Sequence, residues 1–105
     1  MLLDFTGSDW CPTCIRFDHD VLSTEKFAAY ASTKLELVKL DFPRHSPQSP
    51  ELARANAALG RQFRIEGYPT LILLNADGKE LGRQLGGFSG GPEAFIAELD
   101  SFSRR

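Results

Sequence analysis

The chain is poor in cysteine, histidine and long apolar runs, and each shortage removes a class of protein. Two cysteines in 105 residues are too few for the disulfide framework of a small secreted scaffold, which rests on four or more. Those cysteines and two histidines, His19 and His45, make four metal ligands by count, but no second close ligand pair completes the spacing of a structural zinc site. His19 and His45 read instead as solvated surface residues. No apolar run approaches the roughly 18 residues of a membrane span. The opening MLLDF has no basic leader and is too short for a signal-peptide core, so no export signal is expected within this chain. Excess charge is scarce too: a formal net charge of −2 gives no electrostatic footprint for nucleic acid or an anionic membrane.

What remains is ordinary for a globular protein, with 42% apolar and 25% charged residues. The length fits a single domain over residues 1–105 with one modest core and a solvated Arg104-Arg105 tail. Leu2-Leu3-Asp4-Phe5 is a mostly apolar run that stops at Gly7, the pattern of a buried strand. From Pro12 the period turns helical, with Cys14, Phe17 and Val21 at i, i+3 and i+7. Ser23 or Thr24 is placed to cap a continuation in which Phe27, Tyr30 and Ala31 share a face. LELVKL (Leu35–Leu40) is nearly continuous in apolar residues, as in a parallel strand buried on both sides. The long helical connection between these strands predicts a right-handed βαβ unit.

FPRHSPQSP then breaks the pattern with three prolines. Ser49-Pro50-Glu51 reads as a helix start, with Leu52, Ala55, Leu59 and Phe63 fitting that helix. LILL (Leu71–Leu74) is another buried strand, and NADG is a tight turn into KELGRQL, which predicts an antiparallel hairpin. Pro92 opens a last helix with Phe95, Ile96, Leu99 and Phe102 on one face. The fold class is α/β, in the order βαβ-α-ββα, with a four-stranded mixed sheet flanked by helices.

Both cysteines fall inside DFTGSDWCPTC, Asp4 to Cys14. A Cys-x-x-Cys pair between a buried strand and a helix start reads as a redox site. Cys11 stands at the helix N-terminus, where the dipole and free backbone N–H groups stabilise a thiolate. Such positions lower a thiol pKa from about 8.5 to about 3.5–7.5, and the thiolate is the attacking species in disulfide exchange. Cys14, one turn on and expected to be deeper, then resolves the mixed disulfide. Pro12 suits a first turn that needs no donor there. Three other readings stand beside this one. A structural bridge closing so small a loop gives only roughly 2 kcal/mol of chain-entropy stabilisation. A metal site needs His19 and His45 to converge on the sulfurs. Unreactive core thiols are disfavoured by the helix-start setting.

WCPTC, followed about 55 residues later by GYPTLILLNADG and then a glycine pair, resembles the thioredoxin superfamily. The nearer likeness is to bacterial thioredoxin-like proteins with DFTGSDWCxxC and to the C-terminal domain of the thiol:disulfide interchange protein. It covers nearly the whole chain. The resemblance implies a thioredoxin-like fold without the N-terminal strand and helix of full thioredoxin. It implies a thiol–disulfide oxidoreductase acting on protein disulfides, with no cofactor beyond the redox-active Cys11–Cys14 pair and no metal. Trp10 matches the aromatic residue flanking the dithiol, and Pro69 the cis-proline facing it, so that Trp10, Tyr68 and Pro69 line a substrate groove. An ordinary trans-proline starting a strand is the other reading of Pro69.

The middle dipeptide, Pro12-Thr13, departs from the Gly-Pro of thioredoxin, and its leading proline is similar to that of glutaredoxin. In the superfamily this dipeptide influences redox poise, over roughly −270 to −120 mV. Asp4 has two readings: the buried acid beneath the resolving cysteine, or a partly exposed strand-edge aspartate. It lies seven residues before Cys11, one more than the common thioredoxin arrangement.

The implied partners are protein disulfide or dithiol substrates and a further redox partner. The resemblance favours a periplasmic or exported setting over the cytoplasm. Alternative functions are a redox-inert peptide-binding module built on the Tyr68–Pro69 groove and a metal chaperone using the two thiolates. If the sheet follows the thioredoxin order, the strand near Leu35–Leu40 is an edge and the helix from Pro50 lacks its usual neighbour. Self-association or an upstream segment is then expected to cover that edge.

Overall fold

A computed structural model describes residues 1–86, 88 and 90–104; Gly87 of the glycine pair and the terminal Arg105 lie outside the described residues. The elements are β1 (Leu2–Thr6), α1 (Pro12–Phe17), a π-helical turn (Asp18–Leu22), α2 (Glu25–Lys34), β2 (Leu37–Asp41), α3 (Pro50–Gln62), β3 (Thr70–Leu74), β4 (Glu80–Leu85) and α4 (Gly91–Ser103). The four strands form one mixed sheet in the order β2-β1-β3-β4. β1 runs parallel to β2 and antiparallel to β3, and β3 pairs antiparallel with β4. The α/β class, the βαβ unit and the hairpin therefore match the sequence expectation.

Strand alternation divides β1 between two cores. Leu2 joins Phe17, Val21, Phe27, Leu71, Phe95 and Leu99 under α1, α2 and α4. Leu3 and Phe5 join Leu40, Ile72 and Leu74 on the opposite face. There Leu59 and Phe63 of the α3 segment close over them, with Phe42 beside. Thr24 caps α2 through its side chain and Ser49 caps α3 in the same way, each accepting an N–H of the first turn.

Three expectations need correction, and one of the two readings of Asp4 falls away. The helix begun at Pro12 does not continue as α-helix to Val21; it widens into a π-helical turn after Phe17, which brings both Val21 and Leu22 into the core. The second strand starts at Leu37 and is not buried on both sides: only Leu40 is fully buried, because β2 is the sheet edge. Leu52 and Ala55 are exposed; the buried residue of α3 is Asn56, whose side-chain amide donates to the Asp41 carbonyl at 3.1 Å. Asp4 is no strand-edge residue. It sits in β1, between β2 and β3, and is 2% exposed.

Gly82 of β4 faces the Phe102 ring so closely that a Cβ would lie 2.5–2.8 Å from ring carbons. That is well inside van der Waals contact, so Gly82→Ala must push the α4 anchor off the sheet. Equilibrium urea unfolding is expected to show a loss of about 1–3 kcal/mol; an unchanged midpoint would mean that Phe102 repacks freely.

Candidate functional site

Three segments leave the sheet at one end. β1 exits through Gly7 into α1, β2 exits through Asp41 into the proline-rich loop, and β3 is entered through Gly67-Tyr68-Pro69. Register enforces the meeting, since Thr6 pairs with Asp41 and Phe5 with Thr70. Cys11 is the N-cap of α1 and is bonded to Cys14, with their Cα atoms 5.2 Å apart. The Cys14 N–H donates to Cys11 Sγ at 3.3 Å. Pro12 occupies the first turn without needing a donor, and Thr13 is half-buried beside it. In this oxidised state Cys11 is 6% and Cys14 3% exposed, so the expected contrast in depth is small. Both sulfurs are screened.

The Cys11 sulfur lies 3.8 Å from the Tyr68 carbonyl oxygen. The Tyr68–Pro69 bond is cis, and Pro69 is among the fully buried side chains. Thr70 Oγ1 donates to the Gly67 carbonyl at 2.8 Å, and the Gly86 N–H donates to the Pro69 carbonyl at 3.0 Å. These two bonds hold the Tyr68–Pro69 corner against the cysteines.

Trp10 is fixed from three directions. Its indole N–H donates to the Phe42 carbonyl at 2.7 Å, its ring meets Tyr68 edge-on at 5.8 Å, and the Arg44 guanidinium sits 3.6 Å from its ring centroid. Gly7 makes room for it: a Cβ there would fall 2.4–2.6 Å from indole atoms. Asp9 accepts the backbone N–H groups of Arg44, His45 and Ser46 at 2.9, 2.9 and 2.6 Å. Those bonds, with the Arg44 N–H the strongest influence, together outweigh desolvation and hold the Asp9 carboxyl well below the usual carboxylate range. The loop carrying Arg44 and His45 is thereby strapped to the cysteine motif.

Asp4 lies on the same face of β1 as Leu2, the face covered by α1 and α4. Its register neighbour on β2 is Lys39, and the Lys39 ammonium donates to Asp18 at 2.7 Å. Asp4 Oδ1 accepts no hydrogen bond among the described residues. Burial raises the Asp4 carboxyl to about 7; Lys39 opposes the shift, and Asp18 and Asp41 add to it. Burial also acts on Asp18, but hydrogen bonds from Lys39 and Ser23 outweigh it and leave that carboxyl low. His19 and His45 are both exposed. Among the described residues no group of three or more His, Cys, Asp or Glu side chains converges as a metal site.

The sequence profile of the thioredoxin-like domain matches residues 1–103. The chain belongs to the thioredoxin-like domain family. Disulfide bond reductase DsbH of Chlamydia pneumoniae is 36% identical over 99 residues, which are 94% of this chain and 59% of that protein. This chain thus spans less than two thirds of that relative's length. A solved structure of a DsbH oxidoreductase superposes with a TM-score of 0.90 at 36% identity, covering 98% of this chain and 71% of the other. The reduced DsbD C-terminal domain of Neisseria meningitidis shares the fold, with a TM-score of 0.70 at 21% identity over 96% of this chain and 78% of its own.

Within this thioredoxin-like domain the structure gathers Trp10, Cys11, Pro12, Thr13, Cys14, Tyr68 and Pro69 at one end of the sheet, with Asp4 on the α1 side of β1. Sequence reading missed Gly7, Asp9 and Arg44. A signal for Asp9 existed, an acid two residues before the first cysteine, but its partners lie 35 to 37 residues away, beyond any local pattern.

Asp4 makes stability depend on pH in a defined direction. Its folded value of about 7 lies above the ordinary 3.8, so between them the folded domain keeps a proton that the unfolded chain has released. Stability should fall as pH rises from about 4 to about 7 and level off above, by at most a few kcal/mol. Asp4→Asn should flatten that slope in urea titrations; an equal slope in the variant would assign it to other groups.

Proposed function

We propose that this domain is a thiol–disulfide oxidoreductase that reduces or exchanges protein disulfides through Cys11 and Cys14. The observation that carries the reading is the Cys11 sulfur at the head of α1. There it accepts the Cys14 N–H at 3.3 Å and faces the Tyr68 carbonyl at 3.8 Å. The N–H that meets this sulfur in the disulfide also stabilises negative charge on it once it is reduced. The matching relative's description as a disulfide bond reductase supports the same chemistry.

The steps balance as two successive displacements. The Cys11 thiolate attacks one substrate sulfur, forming a Cys11–substrate disulfide and releasing the other substrate sulfur as a thiolate that takes up a proton. The Cys14 thiolate then attacks Cys11 Sγ, closing the Cys11–Cys14 bond and releasing the second substrate thiol. Two electrons pass from the domain to the substrate, and a dithiol partner must return them. Asp4, on the α1 face with a carboxyl raised to about 7, is suited to take the Cys14 proton. Trp10 and Tyr68 form the approach for the substrate chain, the buried cis Pro69 shaping the corner beneath them, and Pro12-Thr13 influences the poise of the couple.

The likeness to Dsb proteins supports a periplasmic-type setting with protein disulfide substrates. Among the described residues no helix is long and apolar enough to cross a membrane. The open β2 edge, with Leu37 and Val38 half-exposed and Leu52 of α3 51% exposed, supports cover by self-association or by upstream residues. Light scattering over a concentration series should then show mass rising above the monomer, or a longer chain should melt higher; a monomer indifferent to both would refute the cover.

Cysteine variants test the chemistry. Cys14→Ser should trap mixed disulfides, visible as reducible adducts on gels, while Cys11→Ser should form none. Both should drop insulin reduction to background. Equal alkylation of the two reduced thiols near neutral pH, with no adduct from Cys14→Ser, favours a redox-inert peptide-binding module. Stoichiometric metal after purification under reducing conditions favours a chaperone.

A further inference from the structure

The charge of the rim around Tyr68 runs against that of the chain. The whole sequence carries a formal −2, yet two cavities beside Tyr68, of about 330 and 480 Å³, are lined by arginines. Arg64, Glu66 and Tyr68 line both cavities, with Arg83 in the first and Arg61 in the second. Arg83 is already engaged, donating to Glu80 and to the Phe63 carbonyl. Glu66 is the one carboxylate of the two linings. The nearby acids Asp9 and Asp41 are turned into the scaffold, Asp9 by three loop amides and Asp41 by Ser8.

A further cation, Arg44, lies outside these cavities but beside Tyr68 through Trp10. Arg44 lies over Trp10 at 3.6 Å, on the loop that Asp9 straps down. Arg64 stands at φ 55° just past the end of α3. Its N–H donates to the Arg61 carbonyl at 3.2 Å, and the Ile65 N–H donates to the Gly60 carbonyl at 2.9 Å. This is the helix-ending motif whose left-handed position glycine normally takes. An arginine there carries a backbone cost that glycine would avoid.

We propose that Arg44 and Arg64 form a two-guanidinium clamp around Tyr68 that selects partner proteins with acidic residues beside their reactive disulfide. The clamp rests on the redox reading, since it names the substrate class of the same site. Planar guanidiniums meet carboxylates bidentately. Arg44 is held against Trp10, which abuts Tyr68, and Arg64 leaves a fixed backbone position beside Tyr68, so an extended acidic segment lying along Tyr68 finds both cations on one rim, with at least Arg44 ordered in advance.

The test uses three peptides of equal length whose cysteine is flanked by Asp, Ser or Lys. Binding of their S-methylated forms to the oxidised protein is followed through Trp10, the chain's only tryptophan; exchange of their disulfides with the reduced protein is followed separately. The Asp peptide should bind about three- to ten-fold tighter than the Lys peptide. That ratio should shrink as salt rises from about 0.01 M to about 1 M, where the screening length falls from about 30 Å to about 3 Å.

Arg44→Gln combined with Arg64→Gly should bring the ratio close to one. Glycine suits the left-handed site, so this change keeps the fold, and Arg44→Lys should restore part of the preference. Equal binding of the three peptides by the wild type, or a ratio that survives the double variant, overturns the clamp. Ordered binding with no exchange of any peptide keeps the clamp and overturns the redox reading. Exchange at equal rates with equal binding does the reverse.

Discussion

The site depends on one constraint, the antiparallel register of β1 against β3. Phe5 opposite Thr70 means that the chain leaving β1 and the chain entering β3 meet at the same end of the sheet. Cys11 and Tyr68, 57 residues apart, become neighbours through that pairing and not through any local preference. Both strands are buried along their whole length, which fixes the register: a slip of one residue would turn Leu2 and Phe5 to the wrong cores. The parallel pairing with β2 adds the third wall, because Thr6 opposite Asp41 delivers the Phe42–Ser46 loop to the same place.

Once the strands are set, the site is tightened by polar contacts rather than by more apolar packing. Asp9, Ser8 and the Trp10 indole each reach across to the loop after β2, so the cysteine motif and that loop form one body. The exchange proposed for this dithiol would gain from such support, because attack on a disulfide requires the sulfurs to be held while the substrate changes. Among the described residues, the one buried side-chain polar atom without a hydrogen bond, Asp4 Oδ1, lies on the α1 side of the sheet. An unsatisfied buried carboxyl is costly, and the proton-acceptor role proposed for Asp4 would give that cost a use.

Much of this was legible in the sequence, for reasons that differ by element. The buried strands and the α4 face announce themselves because apolar residues at fixed periods need only local counting. Ser49, Thr24 and Pro12 are readable because caps and first turns impose their chemistry within a few residues. The cysteine pair is readable because its spacing is itself the chemistry. The α3 face was misread because Leu52 looks like a core residue, whereas the buried position goes to Asn56, which bonds a carbonyl beyond the end of the periodic pattern. The β2 run looked doubly buried because edge or centre is decided by sheet order, which no single strand encodes. Arg44 and Arg64 were invisible because their roles come from a ring and a helix end brought together in three dimensions.

The π-helical turn has a consequence in terms of chain length. A π-helical turn carries about one residue more than an α-helical turn, so Asp18–Leu22 closes α1 with one residue extra before Thr24 caps α2. In α-helical geometry each residue rotates the chain by about 100°. Removing one residue here would leave the preceding segment, Cys11 to Phe17, where it is, and swing the end of the turn, up to the Thr24 cap, by that angle. The Asp18–Lys39 ion pair at 2.7 Å sits at this seam. A deletion in this turn would thus change which of Val21 and Leu22 meets the core beside Asp18, while the helix start that carries Cys11 stays where it is.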